Sequence, residues 1–310
     1  MEEQRMTRYR KKRLRKGRIF FLLLFLLISI IGSYSFIQFR AGAKLAGDSK
    51  LPEEAFTPDK PSDDMENYLI LGVDSRGEEK SRTDTMMLLS WQKKTNDMKL
   101  VSFMRDIYAE IPGYQSYKLN TAYYLGGVQL TKDTISQMFH VPIHHYAIID
   151  FKQFESLVDI LVPNGVEMDV EKDMSENIDV SIKKGKQKLN GQELLGYARF
   201  RMDKEGDFGR VNRQQKVIEA LKDEVLSLEN VKNLPKAIGA AQGYVSTDVG
   251  SMDQLKTVLS IAVGGGVNID KMTIPLEGTY QFQSYSHAGS VLEIDIEKNQ
   301  QAIHDFLQMK

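Results

Sequence analysis

Residues 67–104 read NYLILGVDSRGEEKSRTDTMMLLSWQKKTNDMKLVSFM, and this stretch decides the fold class. Asn67 to Val73 is a short apolar run that stops at Asp74, the pattern of a strand buried on both faces. Thr85 to Trp91 and Lys99 to Met104 flank the polar turn KKTND and predict a hairpin. Downstream, helical periodicity covers Leu130–Phe139, Phe151–Ile160, Gly191–Arg199 with Asn190 as N-cap, and Arg210–Leu228. Two further helices are expected at 234–243 and 251–262, the second with Ser251 and Gln254 at capping-box spacing, and a last one at Gln300–Gln308. Strands are expected at Ile143–Asp150, Met272–Pro275 and Val291–Ile296. Interleaved strands and helices predict an α/β fold: a mixed central sheet covered by helices on both faces, preceded by one transmembrane helix.

That helix is Ile19 to Ile37, IFFLLLFLLISIIGSYSFI, which carries no charge. At 1.5 Å per residue it spans roughly 28 Å, close to the hydrocarbon thickness of a bilayer. Residues 1–18 hold nine of the 41 Lys and Arg and two of the 42 acids, which leaves the rest of the chain with 32 bases, 40 acids and a net charge of −8. A basic tail stays in the cytoplasm, so the acidic body is expected outside the cell, and an acidic body argues against nucleic acid as a partner. Ala41-Gly42-Ala43 offers the alternative of a cleaved signal peptide. Residues 44–64 contain three prolines and mixed charge, and read as a stalk. There is no cysteine, hence no disulfide framework and no thiolate metal site.

The arginines carry the functional signal. Beyond residue 18 there are eight, against 24 scattered lysines, and seven of the eight fall in three short segments. These are GVDSRGEEKSRTD with Arg76 and Arg82, MRD with Arg105, and RFRMDKEGDFGRVNRQ with Arg199, Arg201, Arg210 and Arg213. Lysine serves for ordinary solvated charge, whereas arginine appears where a planar fork suits bidentate phosphate or carboxylate recognition. The alternative is a set of structural Arg–Asp pairs, since Asp74, Asp84, Asp106, Asp203 and Asp207 accompany the segments. Asp74 and Arg76 follow a buried strand, where ligands of open α/β sheets sit. Arg210, Arg213 and Gln214 lie at i, i+3 and i+4 and would share a helix face. Asp74 and Asp84 offer hard oxygens suited to Mg²⁺ on a pyrophosphate.

Three segments together, NYLILGVDSRGEEKSRTDTMMLLS, SFMRDIYAEIPGYQSYKLNTAYYLGG and LNGQELLGYARFRMDKEGDFGRVNRQQKVI, resemble the LytR-CpsA-Psr family of cell-envelope proteins, and within it the MsrR-like members. The resemblance implies an α-β-α fold and an extracytoplasmic transferase. Such an enzyme moves a glycopolymer of teichoic acid or capsule type from a polyprenyl-pyrophosphate carrier to peptidoglycan. It further implies Asp74 and Asp84 as ligands of Mg²⁺ (or Mn²⁺), and Arg76, Arg82, Arg105, Arg199, Arg201, Arg210 and Gln214 as the pyrophosphate site. Asp84 and Arg105 are the expected catalytic pair. The expected organisation is a cytoplasmic tail (1–18), a transmembrane anchor (19–37), an extracellular linker (38–64) and a catalytic domain (65–310), with membrane lipid, donor and peptidoglycan as partners. Two rival functions are a membrane-bound regulator with an external ligand domain and a polyprenyl-pyrophosphate hydrolase.

Weaker signals read as structural. Ser181-x-x-Lys184 lacks the companion motifs of penicillin-binding enzymes. His144 and His145 are adjacent on an expected strand and so point to opposite faces, a poor arrangement for one metal. Gly264-Gly265-Gly266 has no Walker pattern around it and reads as a loop. The fourteen methionines read mainly as core.

Overall fold

The computed structural model describes residues 16–47, 52–60, 64–74, 82–95, 97–225, 227, 229–250 and 268–308. The basic tail up to residue 15, Arg76, the expected helix at 251–262 and Gly264–Gly266 lie outside the described residues. Helix α1 (Lys16–Ala46) is followed by strands β1 (Met65–Val73), β2 (Thr83–Gln92), β3 (Met98–Phe103), β4 (Tyr108–Ala109) and β5 (Tyr117–Lys118). Then come α2 (Thr121–Phe139), β6 (His145–Asp150), α3 (Phe151–Leu161), β7 (Val166–Val170), β8 (Gly185–Leu189), α4 (Gly191–Arg199) and α5 (Gly206–Val225). The chain closes with α6 (Leu234–Tyr244), β9 (Val245–Thr247), β10 (Ile269–Ile274), β11 (Tyr280–Tyr285), β12 (Gly289–Ile294) and α7 (Ile296–Leu307).

Six strands form one mixed sheet in the order β10-β3-β2-β1-β6-β9. The hairpin read from KKTND pairs β2 with β3 antiparallel, while β1–β6 and β10–β3 are parallel. Alternation along the strands divides the sheet into two faces. On one face Leu69, Leu71, Met86 and Phe103 pack against Ile135 and Phe139 of α2 and Ile303 of α7. On the other, Met87, Leu100 and Ile269 meet Ile218 of α5. A smaller core joins α3, α4 and the β7–β8 hairpin through Val158, Leu194, Tyr197 and Leu189.

Local chemistry explains where the helices begin. Asn190 and Glu193 form a reciprocal capping box at α4. The Asp150 carboxylate accepts from the Lys152 N–H and caps α3. Helix α2 starts nine residues before the expected Leu130. Its run is interrupted by Gly126 and Gly127, both outside helical φ/ψ, and the carboxylate of Glu54 accepts the Val128 N–H where the helix resumes. The glycine pair hid the first turns from the periodicity.

The segment expected as a linker is largely engaged. Helix α1 is long and apolar enough to cross a membrane, and its 31 residues extend about 46 Å, several turns more than a bilayer's hydrocarbon thickness of roughly 30 Å. Its last turns dock on α6 at glycines. A Cβ at Gly42 would lie 1.8 Å from the Lys236 carbonyl oxygen, and one at Gly239 2.1 Å from that of Phe39. Backbone approach this close requires glycine. The Ala41-Gly42-Ala43 stretch thus sits within a continuous helix, with Gly42 against α6. Residues 52–60 then strap across the domain. The Asp59 carboxylate accepts from Lys132 Nζ at 2.6 Å and from the Ile143 N–H at 2.7 Å, and Glu54 accepts from the Tyr123 hydroxyl at 2.6 Å. Burial, with Glu54 beside it, pushes the Tyr123 phenol well up.

Candidate functional site

A cavity of about 1130 Å³ lies on the second face of the sheet, walled by α3, α4 and α5. Its lining changes character along its length. Along β1 and the residue after it, the alternating Ile70, Gly72 and Asp74 face it in turn, apolar to charged. On α5 the sequence runs the other way: Arg210 and Gln214 at one end, Val217 and Ile218 at the other. Met87 of β2 completes the apolar part, while Phe151, at the start of α3, stands at the charged end beneath Arg199. The cavity is therefore graded from a charged end to an apolar one.

The charged end is built by local devices. Gly72 pairs with Thr85 but Val73 pairs with Thr83, so Asp84 is the extra residue of a β-bulge. Bulges re-aim a side chain at the edge of a site. The Asp84 carboxylate accepts from Arg105 Nη1 at 2.5 Å and lies 3.7 Å from Arg210 Nη1. Asp207, one turn before Arg210 on α5, accepts from Arg210 Nη2 at 2.9 Å and faces Arg105 Nη2 at 3.6 Å. Arg199 reaches Asp74 at 3.6 Å and Asp179 at 3.8 Å, with its guanidinium carbon 4.9 Å from the centre of the Phe151 ring.

Electrostatics distinguish the two central arginines. Burial works against the Arg105 charge, but Asp207, Asp84 and Asp106 outweigh it and raise its pKa. Arg210 is more deeply buried. Desolvation and the nearby Arg105 and Arg201 lower its pKa despite Asp207 and Asp84. Both remain cations at neutral pH. The Nε atoms of Arg105 and Arg210 are buried without a hydrogen-bond partner among the described residues. Orphaned buried donors cost stability and call for an acceptor.

Of the nine residues expected from sequence, Asp74, Asp84, Arg105, Arg199, Arg201, Arg210 and Gln214 all line this one cavity. Arg82 stands apart: it is exposed, and its guanidinium lies 5.9 Å from the Tyr124 ring centre. Arg76 lies outside the described residues. Arg213 does not share the face of Arg210 and Gln214. It is 1% exposed, donates Nε to Glu171 and Nη1 to the Phe200 carbonyl, and pairs through Nη2 with Asp203. Helix α5 starts at Gly206, so Arg210 sits past the first turn rather than at the helix N-terminus. Asp207 was missing from the expected site, although its position three residues before Arg210 marks it as a same-face partner.

Two carboxylates, Asp74 and Asp84, line the charged end of the cavity. Among the described residues no three His, Asp or Glu converge, and these two are the carboxylates expected to hold Mg²⁺. Mg²⁺ binds readily through one or two carboxylates when substrate phosphates and water complete its shell. His144 and His145 are used by the fold: His144 Nδ1 accepts from the Asn67 N–H, and His145 bonds Asp248.

A sequence profile described as the LytR_cpsA_psr family matches residues 35–303. The chain is 42% identical over 283 residues to Regulatory protein MsrR of Staphylococcus aureus, covering 91% of this chain and 85% of the relative. It is 31% identical over 309 residues to the polyisoprenyl-teichoic acid–peptidoglycan teichoic acid transferase TagU of Enterococcus faecalis, covering 94% and 97%. Among solved structures, B. subtilis TagV superposes with a TM-score of 0.67 at 27% identity, over 81% of this chain and all of that one.

Proposed function

The chain belongs to the LytR_cpsA_psr family, and on that premise we propose that it transfers an anionic glycopolymer, of the teichoic acid or capsule type, from a polyprenyl-pyrophosphate carrier to peptidoglycan. The observation that carries this reading is the graded cavity. Its charged end is lined by Arg105, Arg199, Arg201 and Arg210, and its other end is apolar. A pyrophosphate with a prenyl tail is an amphiphile of that form.

In the proposed reaction a sugar hydroxyl of the acceptor attacks the phosphorus nearer the glycan. The bond from that phosphorus to the bridging oxygen breaks, and polyprenyl phosphate leaves with the electron pair. The hydroxyl proton passes to a base at the site. Charge grows on the bridging and leaving oxygens, where Arg105 and Arg210 are already desolvated and oriented. Asp84 and Asp207 hold both guanidinium groups in place. Arg199 and Arg201 would grip the remaining phosphate oxygens, a role in which a fork is not replaceable by an ammonium. Mg²⁺ or Mn²⁺ held by Asp74 and Asp84 would neutralise part of the pyrophosphate charge. With α1 in the membrane and its basic end inside, the cavity works on the outer side of the cell membrane, where lipid-linked donor and wall meet.

The test is transfer by the full chain in detergent, with a defined lipid-linked donor, soluble peptidoglycan fragments and varied Mg²⁺. Acceptor-dependent release of polyprenyl phosphate is expected, and Asp84→Asn should cut transfer far more than donor binding. Release that is equally fast without acceptor would make the protein a hydrolase. Donor binding with no turnover would favour a regulator. Full transfer in excess EDTA would remove the metal.

A further inference from the structure

A helix that crosses the bilayer as α1 is read to do leaves the hydrocarbon near Ile37, where its apolar run ends and the exposed Tyr34 and Arg40 stand on either side. The turns beyond Ile37 lie on α6, and glycines fix the register. A Cβ at Gly42 would meet both the Lys236 carbonyl oxygen and the Ala240 nitrogen, and one at Gly239 both the Phe39 carbonyl oxygen and the Ala43 nitrogen. One at Gly243 would lie 2.5 Å from the Ala46 Cβ. Later residues of α1 meet later residues of α6, so the two helices run in the same direction. The Tyr244 hydroxyl donates to the Leu45 carbonyl at 3.2 Å and closes the far end of the contact. Leu234, the first residue of α6, precedes Gly239 by about 7.5 Å of helix. The start of α6 is thereby brought back to about the level of Ile37.

Two walls of the cavity end at that level. Asn233 Nδ2 donates at 3.2 Å to the carbonyl of Leu161, the last residue of α3. Asn230 Nδ2 donates at 3.1 Å to the carbonyl of Glu224, in the last turn of α5. Asn164 Nδ2 donates to Glu229 at 2.6 Å and ties the loop after α3 to the one after α5. Helices α3 and α5 therefore run from the charged end of the cavity, where Phe151 and Arg210 stand, toward the start of α6. Val217 and Ile218 lie further along α5 than Arg210, so the apolar end of the cavity is the end nearer the exit of α1. Between α5 and α6, the 3₁₀ turn Val231–Asn233 presents Val231 and Lys232, both exposed.

We propose that the Val231–Asn233 turn is a second membrane contact, resting in the phospholipid headgroups of the leaflet from which α1 emerges; the inference rests on α1 crossing the bilayer. Its side chains suit that layer. Val231 offers an apolar surface to the acyl boundary, and Lys232 can lay its stem along that boundary with its ammonium among the phosphates. The occupant is a lipid surface because the contact is continuous with the anchor: the close backbone approach at Gly42 and Gly239 sets the height of the turn. A domain held by one helix on a loose stalk would tilt and turn freely. Two contacts joined through α6 remove that freedom and hold the cavity with its apolar end toward the bilayer.

The chain has no cysteine, so single-cysteine labels report one position each. The experiment places a fluorophore at Val231→Cys, at Ile28→Cys within α1, or at Lys204→Cys, an exposed position just before the other end of α5. The full chain is reconstituted in vesicles of phosphatidylcholine and phosphatidylglycerol that carry nitroxide lipids, labelled either on the headgroup or deep in the acyl chain. The Val231 label should lose most of its emission to the headgroup nitroxide, the Ile28 label to the acyl-chain nitroxide, and the Lys204 label to neither. Lys232→Glu should weaken quenching at Val231. Gly239→Leu should abolish it by opening the α1–α6 contact, with Ile28 still quenched. Full emission at Val231 beside a quenched Ile28 would overturn the contact and leave the anchor standing, as would equal quenching at Val231 and Lys204. Full emission at Ile28 would remove the anchor and the contact with it. Depth is read without turnover, so a chain that transfers nothing still decides whether the turn meets the membrane.

Discussion

Two arginines three residues apart on α5 have opposite fates. Arg213 is saturated: Glu171, Asp203 and the Phe200 carbonyl take its donors, and its guanidinium lies 5.1 Å from the Phe200 ring centre. Arg210 is nearly as buried, yet it sits in a cluster containing other arginines and keeps an unpartnered Nε. The first cluster is an electrostatic knot that closes on itself and fastens α5 to the segments after β7 and α4. The second lines the cavity with an Nε that has no hydrogen-bond partner among the described residues, and in the function proposed above it is the group that meets the phosphate. Satisfaction of hydrogen-bonding capacity, rather than burial or charge, separates structure from function here.

The largest effect should come from breaking the closed knot. Arg213→Met leaves Asp203 and Glu171 without their shared partner, and removing one member of a buried pair costs roughly 3–5 kcal/mol. Thermal denaturation should show a large fall in Tm, with transfer lost only in proportion to unfolding. A Tm within about 2 °C of wild type would erase the distinction between the two arginines.

Arg210→Lys should do the reverse. It keeps the charge but loses the fork, so the transfer rate should fall about 10²–10³-fold, the loss typical of removing one preorganised donor. Its Tm should stay close to that of wild type, because the native cluster was never fully satisfied. A pyrophosphate-bearing donor analogue should raise the Tm of wild type through linkage and raise that of Arg210→Lys much less. Equal ligand-induced shifts in the two proteins would take Arg210 out of the anion site.

The sequence made one half of this contrast legible. Seven of the eight arginines beyond residue 18 fall in three segments, and four of them, Arg105, Arg199, Arg201 and Arg210, line the cleft. Periodicity and capping chemistry located α4 to the residue, since Asn190 and Glu193 act within one turn. It was silent where the deciding partner is distant in the chain. Positions i and i+3 predicted a shared face for Arg210 and Arg213, but their directions are set by Glu171 on one side and Asp84 on the other. The strap at 52–60 read as a stalk for the same reason. Its prolines are local and visible, while the partners of Glu54 and Asp59 lie more than sixty residues away.

The smallest expected effect is a pH dependence confined to the closed knot. Burial alone would raise the Glu171 pKa. The chain's own N–H, the Tyr197 hydroxyl, Lys216 and Arg213 together override that and hold it below its ordinary value of 4.5. Asp203 is likewise depressed, against its burial, by Lys172, Arg213 and the Gly206 N–H. A carboxylate whose folded pKa is depressed contributes stability above its unfolded pKa and loses it as pH falls through the folded value. The knot should therefore be intact at pH 6 and weaken as pH falls below about 4.5. Glu171→Gln removes one of these titrations, so its stability should depend less steeply on pH in that acidic window. Because Glu171 is partly exposed, the difference should be no more than about 1 kcal/mol, or a few degrees in Tm. Tm measured from pH 3.5 to 6 for both proteins reads this directly. Parallel curves would mean that Glu171 titrates alike in the folded and unfolded chain, and that Asp203 alone completes the Arg213 knot.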